Sequence, residues 1–202
     1  KDGLGFPFKN DSKNVIRFHD GLVGGVEKVN VGSSKSLDDI FEGGGTIMVW
    51  VYPHTSGGGT AGRILNKLVS AGWDLFVNAE TATGIKLSFD TIFSGDNGCY
   101  ESNDRVITKD AWNHIAITHD TSGAGSSYRP TMYVNLVNVA FTVQTESTGT
   151  YTSDASLDLI VGNRPTDTKG FNGIIDEVFV YNRVLSTYKS DGSAVASTAT
   201  IA

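Results

Sequence analysis

The chain has 202 residues, of which 39% are hydrophobic and 19% are charged, a composition typical of a globular domain rather than a disordered chain. Its net charge is −6 and its 16 lysines and arginines are scattered, which argues against a nucleic-acid partner because phosphate backbones are bound by clustered cations. The single cysteine, Cys99, excludes an intrachain disulfide. The longest apolar run, residues 47–52, is far too short to cross a bilayer, so membrane insertion is not expected.

Short runs of β-branched and aromatic residues recur along the chain between clusters of Gly, Ser, Asn and Asp, and this pattern predicts an all-β protein. Strands are expected at residues 14–19, 26–32, 46–53, 62–68, 73–78, 85–90, 104–108, 112–119, 131–136, 138–143, 157–162 and 173–182. Single helical turns are expected at residues 36–41 and 185–189. The glycine-rich segments 43–45 and 56–59 are predicted to be loops, because polyglycine is costly to order.

Residues 1–189 are expected to form one domain, since no internal repeat or interior linker interrupts them. Residues 190–202 are nearly all Ser, Ala, Thr and Gly and predict a tail or a linker. The chain begins at Lys1 without a methionine, so we expect a processed protein or part of a larger chain or assembly.

The order of several motifs resembles the laminin-G-like domains of the concanavalin-like lectin/glucanase superfamily. The motifs are VIRFHDG at residues 15–21, VNV at 29–31, TIMVWVYP at 46–53, WNHIAITHD at 112–120, MYVN at 132–135, IVGNR at 160–164 and FNGIIDEVFVYNRVLS at 171–186. The resemblance covers roughly residues 14–188. It implies a two-sheet antiparallel β-sandwich of the concanavalin-like jelly-roll type. Leu136 departs from the pattern, because the family usually has glycine after the asparagine of this hairpin.

The last long strand carries a carboxylate among apolar residues. Strict alternation places Ile174, Asp176, Val178 and Val180 on one face and Glu177 on the other. An unpaired carboxylate in such a layer is costly, so Asp176 is expected to contact a cation, backbone N–H groups or water. Calcium fits well because it accepts carboxylate and carbonyl oxygens in irregular geometry.

The resemblance implies a structural calcium between Asp176 and the loop after the first strand, His19-Asp20-Gly21. The metal ligands expected on that basis are Asp20, Gly21 and Asp176, completed by backbone carbonyls. In the alternative, Asp176 accepts hydrogen bonds from a neighbouring turn and no metal is present.

A second acidic segment is the loop that contains Asp96-Asn97. This pair resembles the residues with which pentraxins hold a ligand-binding calcium, although Asp-Asn-Gly is also an ordinary turn sequence. The candidate ligand contacts are Asp96, Asn97, Tyr100, Glu101 and Trp73. Tyr100 is predicted to lie in a loop, where exposed aromatic rings often contact ligands.

Signals for an enzyme are weak, and the chain is predicted to be non-catalytic. Related glycosidases carry a Glu-x-Asp-x-Glu pattern, whose first glutamate is replaced here by Ile174. Adjacent Asp176 and Glu177 would face opposite sides of a strand. His114 and His119 are expected at the surface or in turns.

Three functions follow in order of preference. The first is a carbohydrate-binding or adhesion module with a structural calcium, whose partner is a glycan or a surface protein. The second is a structural decoration of a virion or cell-surface assembly, and a glycan hydrolase is a distant third. The expected location is extracellular, on a cell surface or on a virion surface.

Overall fold

A computed structural model describes residues 16–18 and 27–185 of the chain. The first seven strands are β1 (Ile16–Phe18), β2 (Val29–Gly32), β3 (Gly45–Pro53), β4 (Ala61–Leu68), β5 (Gly72–Asn78), β6 (Gly84–Thr91) and β7 (Gly98–Ser102). The others are β8 (Ile107–Thr108), β9 (Asn113–His119), β10 (Thr131–Val134), β11 (Val137–Asn138), β12 (Phe141–Thr145), β13 (Leu159–Val161) and β14 (Gly173–Tyr181). Two 3-10 turns, Gly58–Thr60 and Ser126–Tyr128, interrupt the loops. Within this part of the chain, no helix is long and apolar enough to cross a membrane.

The strands form two antiparallel sheets. The six-stranded sheet has the order β1-β14-β3-β9-β10-β11. The eight-stranded sheet has the order β12-β7-β6-β5-β4-β13-β2, and β8 also pairs with β6. The arrangement is the predicted two-sheet antiparallel β-sandwich.

Alternating apolar side chains from both sheets fill the space between them. From the six-stranded sheet come Ile47, Val49, Val51, Ile115 and Ile117, and from the eight-stranded sheet come Leu65, Trp73, Leu75, Val77, Ile85, Leu87 and Phe89. All of these side chains are almost completely buried. Burying a large apolar side chain stabilises a fold by about 1.5–3 kcal/mol, so this core dominates the energetics.

Most predicted strands are present, but three local expectations were wrong. Residues 98–102 were taken for a loop and form β7. Residues 36–41 form turns rather than a helix, and Gly45 begins β3 instead of ending a loop. The predicted turn at 185–189, beyond its first residue, and the predicted tail at 190–202 lie outside the described residues.

Strand β14 contains a β-bulge that changes which side chains face the core. Its register with β3 shifts between Asp176 and Phe179, and Glu177 has a φ of 48°. Ile175 faces the core before the bulge, and Val178 and Val180 pack against the core after it. Asp176 therefore does not share a face with the two valines, contrary to the strict alternation expected from the sequence, because the extra residue reverses the pattern.

The β10–β11 hairpin turns through Asn135 and Leu136, whose φ angles are 50° and 67°. Two consecutive positive φ angles are typical of a type I′ turn, which asparagine tolerates and which usually takes glycine second. The turn geometry is thus kept despite the leucine, whose side chain lies exposed.

Candidate functional site

The outer face of the eight-stranded sheet is polar. Its side chains alternate with those in the core, and cross-strand pairs bring them side by side: Asn66 with Asp74, Asp74 with Asp90, Asp90 with Cys99, Arg63 with Phe76, Phe76 with Ser88, Ser88 with Glu101 and Asn78 with Lys86. We call this surface the polar face. It spans β4, β5, β6 and β7, a width of about 15 Å given strand spacings near 5 Å.

The polar face adjoins a cavity of about 230 Å³. The loop that follows β13 forms its second wall. The lining residues are Arg63, Asn66, Leu68, Val69, Asp74, Arg164, Pro165 and Thr166. The cavity therefore combines side chains fixed on rigid strands with side chains from a loop, an arrangement common in ligand sites.

Arg63 is held in one orientation on the floor of the cavity. Its Nε donates a 2.5 Å hydrogen bond to Oδ2 of Asp74, and its Nη1 donates to the backbone oxygen of Ala61. Its guanidinium carbon lies 4.0 Å from the ring centroid of Phe76, a cation–π distance. These contacts pre-organise the guanidinium without a ligand.

Asp74 is a buried carboxylate with one unused oxygen. Nδ2 of Asn66 donates a 3.3 Å hydrogen bond to Oδ2, which already accepts from Arg63. Oδ1 has no hydrogen-bond partner among the described residues. Burial raises the pKa of Asp74, and the positive charge of Arg63 offsets part of that effect.

Asp90 lies beside Asp74 on the neighbouring strand. Burial raises the pKa of Asp90 to about 7, and the negative charge of Asp74 acts in the same direction. Burial and the Asp90 carboxylate in turn raise the pKa of Cys99 to about 12, so its thiol stays protonated. The carboxyl group of Asp90 therefore changes charge near neutral pH.

Glu101 occupies the other end of the polar face. Its carboxylate accepts hydrogen bonds from Nζ of Lys86 at 2.7 Å and from Nδ2 of Asn78 at 2.8 Å. Partial burial acts to raise the pKa of Glu101, but these hydrogen bonds outweigh it and hold the pKa below its usual range. Of the predicted ligand contacts, Glu101 alone lies on this face.

The loop wall is organised by the buried side chain of Asn163. Its Oδ1 accepts hydrogen bonds from the backbone N–H groups of Arg164 and Lys169, at 2.9 and 3.1 Å. The backbone oxygen of Lys169 accepts from the N–H of Arg63 at 2.9 Å. Because β13 pairs with β4, the loop leaves the sheet beside Arg63 and brings Arg164 to the cavity.

Asp96 and Asn97 lie exposed in the tight connection between β6 and β7. The hydroxyl of Thr148 accepts from the N–H of Asp96 at 2.8 Å and lies 3.2 Å from its carboxylate. Oδ1 of Asn97 accepts from the N–H of Phe93. These contacts make the pair an anchored turn, and its role in ligand binding stays a prediction.

Trp73 and Tyr100 were predicted to contact a ligand, and the structure contradicts this for both. Each is only 1% exposed and lies between the sheets, because each occupies the inward position of its strand. His119 is also buried rather than at the surface. Its ring packs against Phe41 and Phe89 at centroid distances of 5.6 and 5.7 Å.

The proposed calcium site is represented only by Asp176, because Asp20 and Gly21 lie outside the described residues. Asp176 is half-buried beside the bulge, and its Oδ1 accepts a 2.9 Å hydrogen bond from the N–H of Glu177. Within residues 16–18 and 27–185, no cluster of three or more His, Cys, Asp or Glu side chains could hold a metal. Calcium therefore remains an expectation.

Sequence reasoning missed Arg63, Asn66, Asp74 and Arg164, which line the cavity, and Asp90, which pairs with Asp74 on the polar face. A signal was available, since polar residues recur at every second position in β6 and, apart from Phe76, in β5. It identifies an outward polar face once the strands are known. The contribution of Arg164 carries no such signal, because it depends on which strand β13 pairs with.

The sequence of the chain matches the model of a known family. The family model of the concanavalin A-like lectin/glucanase superfamily, of the laminin-G type, matches residues 23–188. None of the curated proteins matches the chain in sequence.

Solved structures with a similar fold include a heptameric SAP-like pentraxin from Limulus polyphemus, with a TM-score of 0.53, 12% identity and coverage of 71% of this chain and 66% of the pentraxin. The CBM40 module of the Ruminococcus gnavus IT-sialidase, bound to sialyllactose, has a TM-score of 0.52 at 14% identity and covers 83% of this chain and 96% of the module. The binding domain of Botulinum neurotoxin DC, in complex with SialylT, has a TM-score of 0.52 at 14% identity over 78% of this chain. The chain spans only 37% of that domain. At these identities the likeness concerns the fold alone.

Proposed function

Because the chain belongs to the concanavalin A-like lectin/glucanase superfamily, we propose that it is a glycan-binding module whose ligand lies on the polar face. The solved relatives include one bound to sialyllactose and one in complex with SialylT. One superfold serves many functions, so the proposal rests on the site rather than on the fold.

The observation that carries the proposal is the cavity beside the polar face, whose lining includes Arg63, Asp74 and Arg164. Asp74 is 1% exposed, and its Oδ1 has no hydrogen-bond partner in the described part of the chain. Oδ1 has almost no accessible surface, so a ligand would meet the other polar groups of the lining, among them the guanidinium groups of Arg63 and Arg164. A sugar hydroxyl can hydrogen-bond to such groups and fits a cavity of about 230 Å³.

The other polar groups suit the same ligand. Asn66 offers an amide, Arg63 offers the guanidinium N–H groups that Asp74 and Ala61 do not use, and Glu101 offers carboxylate oxygens. All three side chains stand on strands, so their positions are fixed before binding. Side chains that are already ordered avoid the entropic cost of being immobilised when a ligand binds.

We propose that this module binds without catalysis. Asp74 and Glu101 are each held in an ion pair, with Arg63 and Lys86 respectively, which suits recognition of hydroxyl groups. Incubation of a bound glycan with the purified chain should leave the glycan intact by chromatography. Release of shorter fragments, lost on changing Asp90 to Asn, would show a hydrolase instead.

The setting of the module is also a proposal. We place it outside the cell or on the surface of a cell or virion, with a glycan or a surface protein as partner. A structural calcium at Asp176, with Asp20 and Gly21, belongs to the same proposal.

The test is a glycan panel applied to the wild type and two variants. In Arg63→Ala/Asp74→Ala both members of the ion pair are removed together, so no uncompensated charge remains buried. Phe179→Ala is the matched control, because Phe179 lies 44% exposed on β14 of the other sheet. Circular dichroism verifies that each variant is folded.

We expect the wild type and Phe179→Ala to bind the same glycan, and the double variant to bind it at least about tenfold more weakly, a loss of about 1.4 kcal/mol. If the double variant does not fold, the wild type alone provides the same information. Cys99 lies on the polar face, so a bound glycan should slow its reaction with an alkylating reagent. Binding that survives in the double variant, or is lost in Phe179→Ala, would place the site elsewhere.

A further inference from the structure

The cavity contains an arginine that forms no ion pair with the described residues, although its charge offsets part of the rise that burial causes in the pKa of Asp74. Arg164 lines the cavity, and its Nε donates a 2.8 Å hydrogen bond to the hydroxyl of Thr168. Among residues 16–18 and 27–185, no carboxylate lies within ion-pair distance of its guanidinium. Arg63, on the opposite wall, is already paired with Asp74.

A second cation lies close to the same place. Desolvation lowers the pKa of Lys169, and the positive charges of Arg63 and Arg164 lower it further. Its Nζ donates to the backbone oxygen of Gly59 at 2.9 Å rather than to a carboxylate. Three cations thus converge on one end of the polar face in a chain whose net charge is −6.

We infer that the glycan bound at this site is acidic, and that Arg164 binds its carboxylate. The inference rests on the proposed function and names the ligand class for the same site. A guanidinium presents its N–H groups in a planar fork that matches the two oxygens of a carboxylate. Neutral hydroxyl groups of the same saccharide would contact the remaining lining of the cavity, which includes Arg63 and Thr166.

The position of Arg164 is fixed before any ligand arrives. Its backbone N–H donates to Asn163, and its backbone oxygen accepts from the N–H of Asp167 at 3.0 Å. The carboxylate of Asp167 pairs with Lys28 at a distance of 2.7 Å. The acidic residue of the loop is thus held in another ion pair, and the charge of Arg164 acts instead on Asp74, where it offsets part of the rise in pKa that burial causes.

Asp90 adds a repulsive charge that depends on pH. It lies beside Asp74 and is also influenced by Arg63, Cys99 and Glu101. A carboxylate ligand is expected to bind least well when Asp90 is ionised. The same pair of acidic side chains disfavours a second ligand carboxylate on the sheet itself, so a single acidic group near the loop fits best.

The experiment compares acidic saccharides with their neutral counterparts of equal length. The probes are a hexuronic acid trisaccharide with its methyl ester, and a sialylated trisaccharide with its methyl ester. Affinities are measured by calorimetry for the wild type, Arg164→Gln and the control Lys35→Gln, which removes a positive charge from an exposed turn. A sulfated trisaccharide separates recognition of carboxylate from recognition of any anion.

In the wild type we expect at least one acid to bind about tenfold more tightly than its ester, as for one charge-assisted hydrogen-bonded contact. Arg164→Gln should abolish the difference between acid and ester, whereas Lys35→Gln should keep it. Equal affinities for acid and ester in the wild type would overturn this inference and leave the proposed function intact. A sulfated sugar that binds as tightly as the acid would also overturn carboxylate selectivity. Failure of every saccharide, including the esters, would count against glycan binding itself.

Discussion

Nζ of Lys67 lies 2.8 Å from Oδ1 of Asp154, and both side chains are completely buried between the sheets and the loop before β13. Nζ also donates to the backbone oxygen of Asp154, and the hydroxyl of Tyr151 donates to Oδ2 at 2.9 Å. The N–H of Asp39 donates to Oδ1 as well. The ion pair therefore joins β4, the loop before β13 and the turns before β3.

We predict that Lys67→Met destabilises the fold strongly. Removal of one partner leaves a buried, uncompensated carboxylate, which costs about 3–5 kcal/mol in the free energy of unfolding. Arg129→Met is the control, because the side chains of its ion pair with Glu146 are 40% and 31% exposed and exposed pairs contribute little to stability. Urea denaturation measures both, and similar losses in the two variants would contradict this account.

We predict that His119 makes the fold sensitive to acid. Burial lowers the pKa of His119 from 6.5 to about 4, and neither ring nitrogen has a hydrogen-bond partner in the described part of the chain. Between these values the unfolded chain binds a proton that the folded state does not, so stability falls as the pH falls below about 6.5. The cost reaches about 2 kcal/mol on going from about pH 7.5 to pH 5.

The test compares His119→Leu with the wild type at the two pH values. The variant should gain about 2 kcal/mol relative to the wild type at the lower pH. The comparison with the wild type is needed because Asp90, whose pKa is raised to about 7, contributes in the opposite direction over this range. His54→Leu is the control, since His54 lies at the surface. If the difference in unfolding free energy between His119→Leu and the wild type were the same at both pH values, the buried histidine would not be the cause of acid sensitivity.

We predict that Leu136→Gly stabilises the chain. Leu136 adopts a φ of 67° and is 68% exposed, so the substitution relieves about 1–2 kcal/mol of backbone strain and loses little burial. The greater chain entropy of glycine offsets about half of this, which leaves a gain of up to about 1 kcal/mol. Val137→Gly, at the next position in β11, should instead destabilise, and chemical denaturation that shows the same sign for both would contradict the strained turn.

We predict that calcium raises the melting temperature through Asp176. Thermal unfolding is measured with calcium and with a chelator for the wild type, Asp176→Asn and Asp96→Asn. The expected rise occurs in the wild type and in Asp96→Asn and disappears in Asp176→Asn, because carboxylates supply the principal ligands of calcium. No effect of the chelator on the wild type would remove calcium from the account.

The sequence was sufficient for the architecture and for most strands, because period-two alternation and turn residues carry that information locally. It failed on β14, where alternation was read straight through the bulge at Glu177. A non-glycine residue with a φ of 48° leaves no mark in the pattern. Tyr100 was misjudged because the loop predicted around Asp96-Asn97 was extended over residues that form β7, and Trp73, correctly placed at a strand start, was not recognised as an inward position.

The sequence could not predict the residues of the cavity, for a different reason. Asp74 and Asp90 are 16 positions apart and meet only because β5 pairs with β6 in one register. Arg164 reaches Arg63 only because β13 lies next to β4. Pairing of distant strands depends on the whole core, so a cavity built from it cannot be read from local patterns.

The most direct test of the central claim is a titration of the isotope-labelled wild-type chain with an acidic trisaccharide, followed by backbone amide NMR. The account predicts shift changes concentrated in β4, β5 and residues 163–169, with the amides of Arg63, Asp74 and Arg164 among the most affected. Changes confined to the outer face of the six-stranded sheet, or to the turn at Asp96 and Asn97, would contradict a ligand site on the polar face.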